Sequence, residues 1–426
     1  MEQLSLWEAT ANKRTDFPQL EGEHFCDVVI IGGGYSGLST SYHLQEKNCN
    51  TIVLEQNRIG SGASGRNGGE VLTGYLGSMQ EWAKKKGLEE AKQMWQMSLD
   101  SIDLIESIIK KHEIDCAFVR NGSLYAAYKP SHLEAMKKEQ EFMAKYLNYE
   151  HMHIVEKEDL QEELNTNFYH GASVDAKSAH FHPLNYALGL GNAVHQMGGK
   201  IFEHSKALRI ERKAGGKVIV LTEKGRVIAE DIVIVTNAYS GDLHDRIKRS
   251  IVPVESIMIA TEPLPTEVLE DVIKKNRAVS DSKRLLYYFR RTADNRLAFG
   301  GSGRASTKRD QENLFHNLRL GMIEVFPQLK DAKIDYEWGG KVGFTKSMLP
   351  YIGQLEDGTY FGFGYGGHGA AMASLFGKLI AQMILKEADI NNPLIVKSLK
   401  PIPFHSQHAR AVGILKFYKK LQDRIS

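Results

Sequence analysis

Apolar and polar positions along this chain switch between two periods, and each switch marks a change of element. Val28-Val29-Ile30-Ile31 is an unbroken apolar run of the kind carried by a strand buried on both faces. It ends abruptly in Gly32-Gly33-Gly34-Tyr35-Ser36-Gly37. A helix is expected from Ser36 to Glu46 and a second strand over 51–55, which together make one β-α-β unit. From about 76 to 112 the period lengthens: Trp82, Leu88, Met94, Leu99, Ile102, Ile105 and Ile109 recur three or four residues apart among charges. Helix is predicted there, so the first unit has been interrupted. Short strands are predicted over 117–119 and 122–128, followed by a charged helix from Ser131 to Tyr146.

The interrupted pattern then resumes. Phe181-His182-Pro183 opens a helix with proline in its first turn, and Gly198-Gly199 closes it. Val218 to Thr222 and Asp231 to Thr236 read as strands, the second without alternation, as in a buried parallel sheet. It runs into the polar loop Asn237-Ala238-Tyr239-Ser240-Gly241, at the strand end where α/β sheets bind ligands. A second interruption over about 250–335 holds a hairpin, Leu285 to Arg290 and Arg296 to Gly301 around Ala293-Asp294-Asn295. Last come a strand over 359–363, the glycine loop Gly364-Tyr365-Gly366-Gly367-His368-Gly369 and an apolar helix from Ala370.

Two glycine texts give this α/β pattern its chemistry. Glycines at 32, 34 and 37 between a strand and a helix permit a tight turn, a pyrophosphate against the backbone, and close helix–strand packing. Glu55, at the end of the second strand, can hold a ribose diol. Gly60-Ser61-Gly62-Ala63-Ser64-Gly65-Arg66-Asn67-Gly68-Gly69 is too rich in glycine for a helix or strand interior and reads as a loop approached closely by a flat or phosphorylated ligand. Nucleotide binding follows from the coincidence of these features.

Composition narrows the class. At 426 residues, with 42% hydrophobic content, the chain is large enough for two domains. A net charge of +2 gives no field that would make nucleic acid the main partner. Cys26, Cys49 and Cys116 lack metal-ligand spacing and suit a reduced compartment, so no metal site is expected. Met1 to Asp27 lacks the apolar core of a signal peptide, and the longest apolar stretch, Ala370 to Leu385, is broken by Gly377 and Lys378. A soluble, cytoplasmic protein is expected. The tail, with Leu415, Phe417, Tyr418 and Leu421 among Lys416, Lys419, Lys420 and Arg424, is a basic amphipathic candidate for packing against the body or, as the alternative, for peripheral membrane contact.

With those blocks in place the chain resembles the D-amino-acid-oxidase-like superfamily of FAD oxidoreductases, and within it the bacterial gamma-glutamylputrescine oxidases of polyamine catabolism. The matching stretches include Ala11-Asn12-Lys13, Gly32 to Gly37, Ile59 to Gly69, His180 to Asn185, Asn237-Ala238-Tyr239, Thr292 to Leu297, Phe326 to Lys330 and Gly366 to Gly369. The resemblance implies FAD, and a Rossmann-like FAD-binding domain over 1–75, 176–249 and 336–426. A second, substrate-binding domain with a mixed or antiparallel sheet would occupy 76–175 and 250–335, making the whole α+β. By position, Gly32, Gly34, Tyr35, Ser36 and Gly37 would line the pyrophosphate, and Glu55 and Gln56 the adenosine ribose. Ala207 and Asn237 would flank the cofactor. Ser64, Arg66, Asn67 and Gly68 would approach the flavin from the loop; for Arg66 and Asn67 the alternative is capping of loop carbonyls. Gly366, Gly367, His368, Gly369 and Ala370 would face the pyrimidine end of the isoalloxazine, where amide N–H groups and a helix dipole meet the charge of the reduced ring.

The implied reaction moves a hydride equivalent from the carbon next to nitrogen to flavin N5, gives an imine that water hydrolyses, and returns the electrons to O2 as H2O2. The amine must be neutral to react. With a pKa of about 10.4, roughly one amine in 250 is neutral at pH 8, a handicap of about 3.3 kcal/mol. An apolar or aromatic pocket with no carboxylate beside the amine reduces that handicap. Strand alternation puts Leu286, Tyr288 and Arg290 on one face of the hairpin. Tyr288 is expected as a pocket wall and Arg290 as a bidentate clamp for a substrate carboxylate; the alternatives are a sheet aromatic and an ion pair. His368 could donate to flavin or substrate, or be a satisfied structural histidine; His180 and His182 are expected to pack. Trp338 and Phe344 could close the pocket.

Two departures from the relatives bear on the chemistry. Ala298 stands where the sarcosine-oxidase branch has an oxygen-activating lysine, and no cysteine lies where covalent relatives attach flavin, so dissociable FAD is expected. The competing readings are a dehydrogenase that passes electrons from an amino acid to a quinone, and a flavin-binding protein with a structural or sensing role.

Overall fold

The computed structural model describes residues 4–213, 215–303, 308–387, 392–403 and 405; the basic tail from Leu415 to Arg424 lies outside them. Among the described residues the polypeptide builds two large sheets joined side by side. In the first, parallel strands run in the order Tyr360–Phe363, Gly225–Ile234, Gly22–Ile31, Thr51–Leu54, Lys200–Phe202. Tyr351–Gln354 is added antiparallel at one edge, and Val218–Leu221 and Arg209–Arg212 form an antiparallel extension of Gly225–Ile234. The first strand has 10 residues and extends well before its apolar run, Val28 to Ile31. Its leading half alternates, with Phe25 66% exposed, and pairs with Gly225 to Ala229, so only its buried second half carried the continuous signal.

On one face of this sheet the helices Tyr35–Gln45 and Gly369–Ile384 cross closely. A Cβ on Gly377 would lie 2.5 Å from Cβ of Ser39 and 2.6 Å from the amide of Thr40, so this glycine lets the backbones approach. The Ser39 hydroxyl donates to the carbonyl of Ser374 at 2.6 Å across the same crossing. None of the helices among the described residues is long and apolar enough to cross a membrane.

The second sheet is mixed, in the order Ile334–Phe344, Val252–Thr261, Leu297–Ser302, Tyr287–Arg291, Ala278–Asp281, Ser123–Ala126, Ala172–Asp175, Met152–Val155. Its pairs are antiparallel except Ala278–Asp281 with Ser123–Ala126. Phe289, Phe299, Phe315 and Phe326 fill the core between this sheet and the helix Lys308–Val325.

The structure differs from the sequence expectation in three respects. Residues 336–344 belong to the second sheet, as part of Ile334–Phe344, and the chain rejoins the first sheet only at Tyr351. The helix expected over 76–112 is two helices, Met79–Lys86 and Leu88–Lys111, broken at Gly87 with φ +94°. Ile102 and Ile105 of the longer one share a core with Leu375 and Phe376 beside the first sheet. The strand expected over 117–119 is a single bridge from Val119 to His180.

Candidate active site

One cavity of about 2200 Å³ runs along the junction of the two sheets. At its first end the strand Gly22–Ile31 turns through Gly32, at φ +115°, into the helix Tyr35–Gln45. A Cβ on Gly37 would sit 1.9 Å from the Gly32 carbonyl oxygen, so only glycine permits this contact. Gly34 is the N-cap and offers no side-chain cap, which leaves the helix N-terminus open toward the cavity that Gly32, Gly33, Gly34, Tyr35 and Ser36 line. A Cβ on Gly34 would lie 2.8 Å from Ser64 Oγ, and that oxygen accepts the Tyr35 amide N–H at 3.0 Å.

The side chains here serve the scaffold as much as the cavity. The Tyr35 ring turns inward, its hydroxyl donating to the Pro183 carbonyl at 2.8 Å. Ser36 shares a 2.6 Å hydrogen bond with the Tyr365 hydroxyl, which ties the first glycine turn to the last. Glu55 accepts the amide N–H of Gly33 at 2.8 Å and that of Asn57 at 2.9 Å, and burial raises its pKa despite those bonds. Gln56 and Ala207 line the cavity beside it.

A second helix N-terminus opens farther along. Gly366 and Gly367 have φ of +57° and +102°, and His368 caps the helix Gly369–Ile384 without a side-chain hydrogen bond to it. Gly366, Gly367, His368, Gly369 and Ala370 all line the cavity. The Nδ1 of His368 is buried without a partner, and burial pushes the imidazole pKa down to about 4, so the ring is neutral at neutral pH. Asn237, at φ +45°, accepts the Gly364 amide N–H at 3.0 Å and so holds the base of this loop.

Between the two openings lies the loop 60–69. Arg66 donates from Nε to the Gly339 carbonyl at 2.6 Å and pairs through Nη1 with Glu8 at 3.2 Å. The Asn67 amide donates to the carbonyls of Ala63 and Ser64 and its Oδ1 accepts the Gly69 N–H at 2.7 Å. Both side chains therefore cap loop and strand carbonyls while lining the cavity with Ser64 and Gly68. The whole arrangement fits FAD. Two helix ends whose N-cap residues supply no side-chain cap, a glycine cradle that a Cβ would fill, and the orphaned His368 nitrogen lie on one continuous surface.

Beyond Gly68 the walls come from the second sheet. The Tyr288 ring lies against Gly68, 3.0 Å from where a Cβ would stand, and its hydroxyl shares a 2.9 Å hydrogen bond with Ser256. Burial raises the phenol pKa above its ordinary value. From Tyr288 the cavity continues past Tyr125, His132, Met136, Met143, Met152 and Ser282, under the helix Pro130–Leu147.

Arg290 departs from expectation. It does share a face with Tyr288, but it is 4% exposed and does not line the cavity. Its Nε donates to the Gly68 carbonyl at 2.6 Å, Nη2 to the Phe181 carbonyl at 2.7 Å and Nη1 to the Arg291 carbonyl at 3.0 Å, with His180 Nδ1 at 3.4 Å. The guanidinium also lies 4.9 Å from the centre of the Trp7 ring. At residue 290 the strand has passed from the cavity to beneath the loop 66–69, so the expected carboxylate clamp is instead a fastener between the sheets. Burial lowers its pKa to about 10, which leaves it charged at neutral pH.

The histidines nearby are structural. His180 joins Arg290 to the Asn276 carbonyl, and His182 caps the helix Pro183–Gln196 by accepting the Asn185 N–H at 3.1 Å. Burial lowers their pKa values to about 3 and about 4. Trp338 is fully buried and donates to the Arg66 carbonyl, whereas Phe344 lines the cavity.

Two residues of this region were not singled out in the sequence. Trp7, on the short N-terminal helix Leu6–Ala9, donates to the Asn67 carbonyl at 2.8 Å and packs edge-on against Trp338. Glu70, on the short strand Glu70–Val71, lines the cavity next to Tyr288, and burial pushes its carboxyl up to about 8. The pocket expected to lack a carboxylate therefore contains a carboxyl group. The only sequence signal for Glu70 was its place two residues after Gly68.

Comparison with known proteins agrees with this geometry. Residues 27–383 match the DAO family, described as FAD dependent oxidoreductase. The chain is 38% identical to the probable oxidoreductase OrdL of Haemophilus influenzae over 88% of this chain and 86% of that protein. It is 35% identical to gamma-glutamylputrescine oxidoreductase of Escherichia coli over 90% of this chain and 89% of that protein. Its fold is similar to that of the crystal structure of glycine oxidase from Geobacillus kaustophilus, with a TM-score of 0.72 at 21% identity, covering 86% of this chain and 96% of that one.

Proposed function

The chain belongs to the DAO family of FAD-dependent oxidoreductases, and from that premise we propose that it oxidatively deaminates an extended amine that carries a carboxylate, of the gamma-glutamylputrescine or amino-acid type. One observation carries the reading. The cavity that opens at the two helix ends continues over Gly68 and past Tyr288 to the compartment under the helix Pro130–Leu147, which is room for a substrate with a tail.

Gly32 to Gly37 and Glu55 would hold the nucleotide end of FAD, and Ser64, Gly68 and Gly366 to Ala370 the flavin end. When bound, FAD would supply the acceptor for a hydride equivalent from the carbon beside nitrogen and would hand the electrons on to O2 as H2O2, with water hydrolysing the imine. Attachment is non-covalent in this reading, because Cys26, Cys49 and Cys116 do not line the cavity. Tyr288 and Gly68 wall the reacting end and exclude water from it. Arg284, which lines the cavity beside Ser282 and Leu285, takes the carboxylate-binding role that Arg290 does not fill.

A second acceptor has one observation in its favour. Ala298, at the position of the oxygen-activating lysine of related oxidases, is fully buried, so this residue supplies no cation of its own to draw O2 reduction forward. Quinone is the acceptor in that reading. Anaerobic mixing of the FAD-loaded protein with a panel of short and long amines, with and without a terminal carboxylate, separates these outcomes. Long carboxylate-bearing amines are expected to bleach the flavin fastest, and air to restore it with one peroxide per amine. A flavin bleached by no amine would remove the enzymatic reading, and bleaching that air reverses only slowly would favour the quinone.

A further inference from the structure

Glu70 is a carboxyl group without the partner that its surroundings could supply. Its Oε1 is buried with no hydrogen bond, and Glu70 makes no side-chain hydrogen bond or ion pair among the described residues. The nearest cation, Arg290, directs its donors at the carbonyls of Gly68, Phe181 and Arg291 and at His180 instead. A Cβ placed on Gly68 would lie 3.0 Å from the Tyr288 ring and 3.7 Å from Glu70 Cγ, so the carboxyl and the aromatic ring flank the same loop glycine inside the cavity. A buried, unpaired carboxyl costs free energy unless something completes it.

We propose that Glu70 is a catalytic residue that pairs with the ammonium group of the substrate and removes its proton. The proposal rests on the amine-oxidation reading above. One N–H bond of the ammonium breaks, an O–H bond forms on Glu70, the nitrogen keeps the lone pair that oxidation requires, and water later carries the proton away.

The environment suits that task. A carboxyl at about 8 takes a proton from an ammonium of pKa about 10.4 with an equilibrium penalty of roughly 10², against roughly 10⁶ for one at 4.5. The groups facing Glu70 are Arg290 and Tyr288 from the strand Tyr287–Arg291, and His180 from the strand Ala179–His180 that pairs with its own. Arg290 remains charged up to about 10, Tyr288 is raised, and His180 is neutral above about 3, so Glu70 alone titrates near 8.

The test uses tetramethylammonium, a fixed cation with no proton to lose, binding to the FAD-loaded protein and read by the change in flavin absorbance. Wild type is expected to bind it more tightly as pH rises through about 8, where Glu70 ionises. Glu70→Gln is expected to bind it at least tenfold more weakly at pH 9, with no change in affinity between pH 6 and pH 9. Unchanged FAD content and a melting temperature no lower than that of wild type would show that the variant is folded. Equal binding by the two proteins, or no binding by wild type at pH 9, would overturn the proposal. Because this arm needs no turnover, a protein that binds the cation through Glu70 yet is bleached by no amine would fail the oxidation reading alone. With an oxidisable amine, the acid limb of kcat/KM near pH 8 should shift in Glu70→Gln to the pKa of the free amine.

Discussion

The two ends of the cavity are built by different means. At the nucleotide end the ligand-facing groups are backbone: a turn through Gly32, an open N-terminus after Gly34, and a contact at Gly37 that a single methyl would block. At the proposed substrate end they are side chains: Tyr288 and Arg284 on and just before the strand Tyr287–Arg291, and Glu70 more than two hundred residues earlier in the chain. A backbone site restricts residue type and so leaves a local text. A side-chain site depends on how distant segments meet, which local text does not record.

The comparison is broken most forcefully at the nucleotide end. Gly37→Ala would drive a Cβ into the Gly32 carbonyl and is expected to cost about 3 kcal/mol or more, with loss of bound FAD. A purified variant with full flavin absorbance and an unchanged melting temperature would contradict the backbone account. Arg290→Met comes next. It leaves the Gly68 and Phe181 carbonyls without their donor, so a loss of about 2–4 kcal/mol in stability is expected, with KM for carboxylate-bearing amines unchanged. A steep rise in KM at constant stability would return Arg290 to the pocket. Arg284→Met is expected to do the reverse, raising KM for carboxylate-bearing amines about tenfold, or about 1.4 kcal/mol, with little change for amines without one.

What the sequence disclosed follows the same division. The turns and helix starts at Gly32 to Gly37 and Gly366 to Gly369 were legible because helix N-termini and tight turns demand particular residues there. Strand alternation correctly put Tyr288 and Arg290 on one face, yet it could not show that the loop 66–69 covers that face at residue 290. Glu70 carried no signal because nothing about a carboxyl two residues after a glycine fixes its surroundings. The strand Ile334–Phe344 was missed from the second sheet because Gly339, Gly340 and Gly343 interrupt its apolar pattern. One of those glycines gives way to a neighbour: a Cβ on Gly343 would stand 2.4 Å from Asn237 Oδ1.

The smallest expected effect is a pair of opposite pH dependences. Glu70 is raised from 4.5 to about 8, so the folded state holds its proton more tightly, and its contribution to stability is lost as pH rises through about 8. His368 is lowered from 6.5 to about 4, so the unfolded state takes the proton first, and stability is lost as pH falls from 6.5 toward 4. Melting temperatures of Glu70→Gln relative to wild type should rise from pH 5 to pH 8, and those of His368→Gln should rise, relative to wild type, from pH 6.5 to pH 4. Parallel curves for all three proteins would mean that neither group is buried as described.

The division of labour at the substrate end is tested most directly by anaerobic stopped-flow reduction of the FAD-loaded protein with one long carboxylate-bearing amine at pH 8.5, on wild type, Glu70→Gln and Arg290→Met in parallel. The expected result is a limiting rate that falls by about 10² or more in Glu70→Gln at a stability no lower than that of wild type, in the range of general acid–base effects. Arg290→Met should lose stability and, because the Arg290 charge opposes the rise of the Glu70 pKa, lose less rate than Glu70→Gln does. A normal rate in Glu70→Gln together with a rate lost in Arg290→Met at unchanged stability would contradict the account.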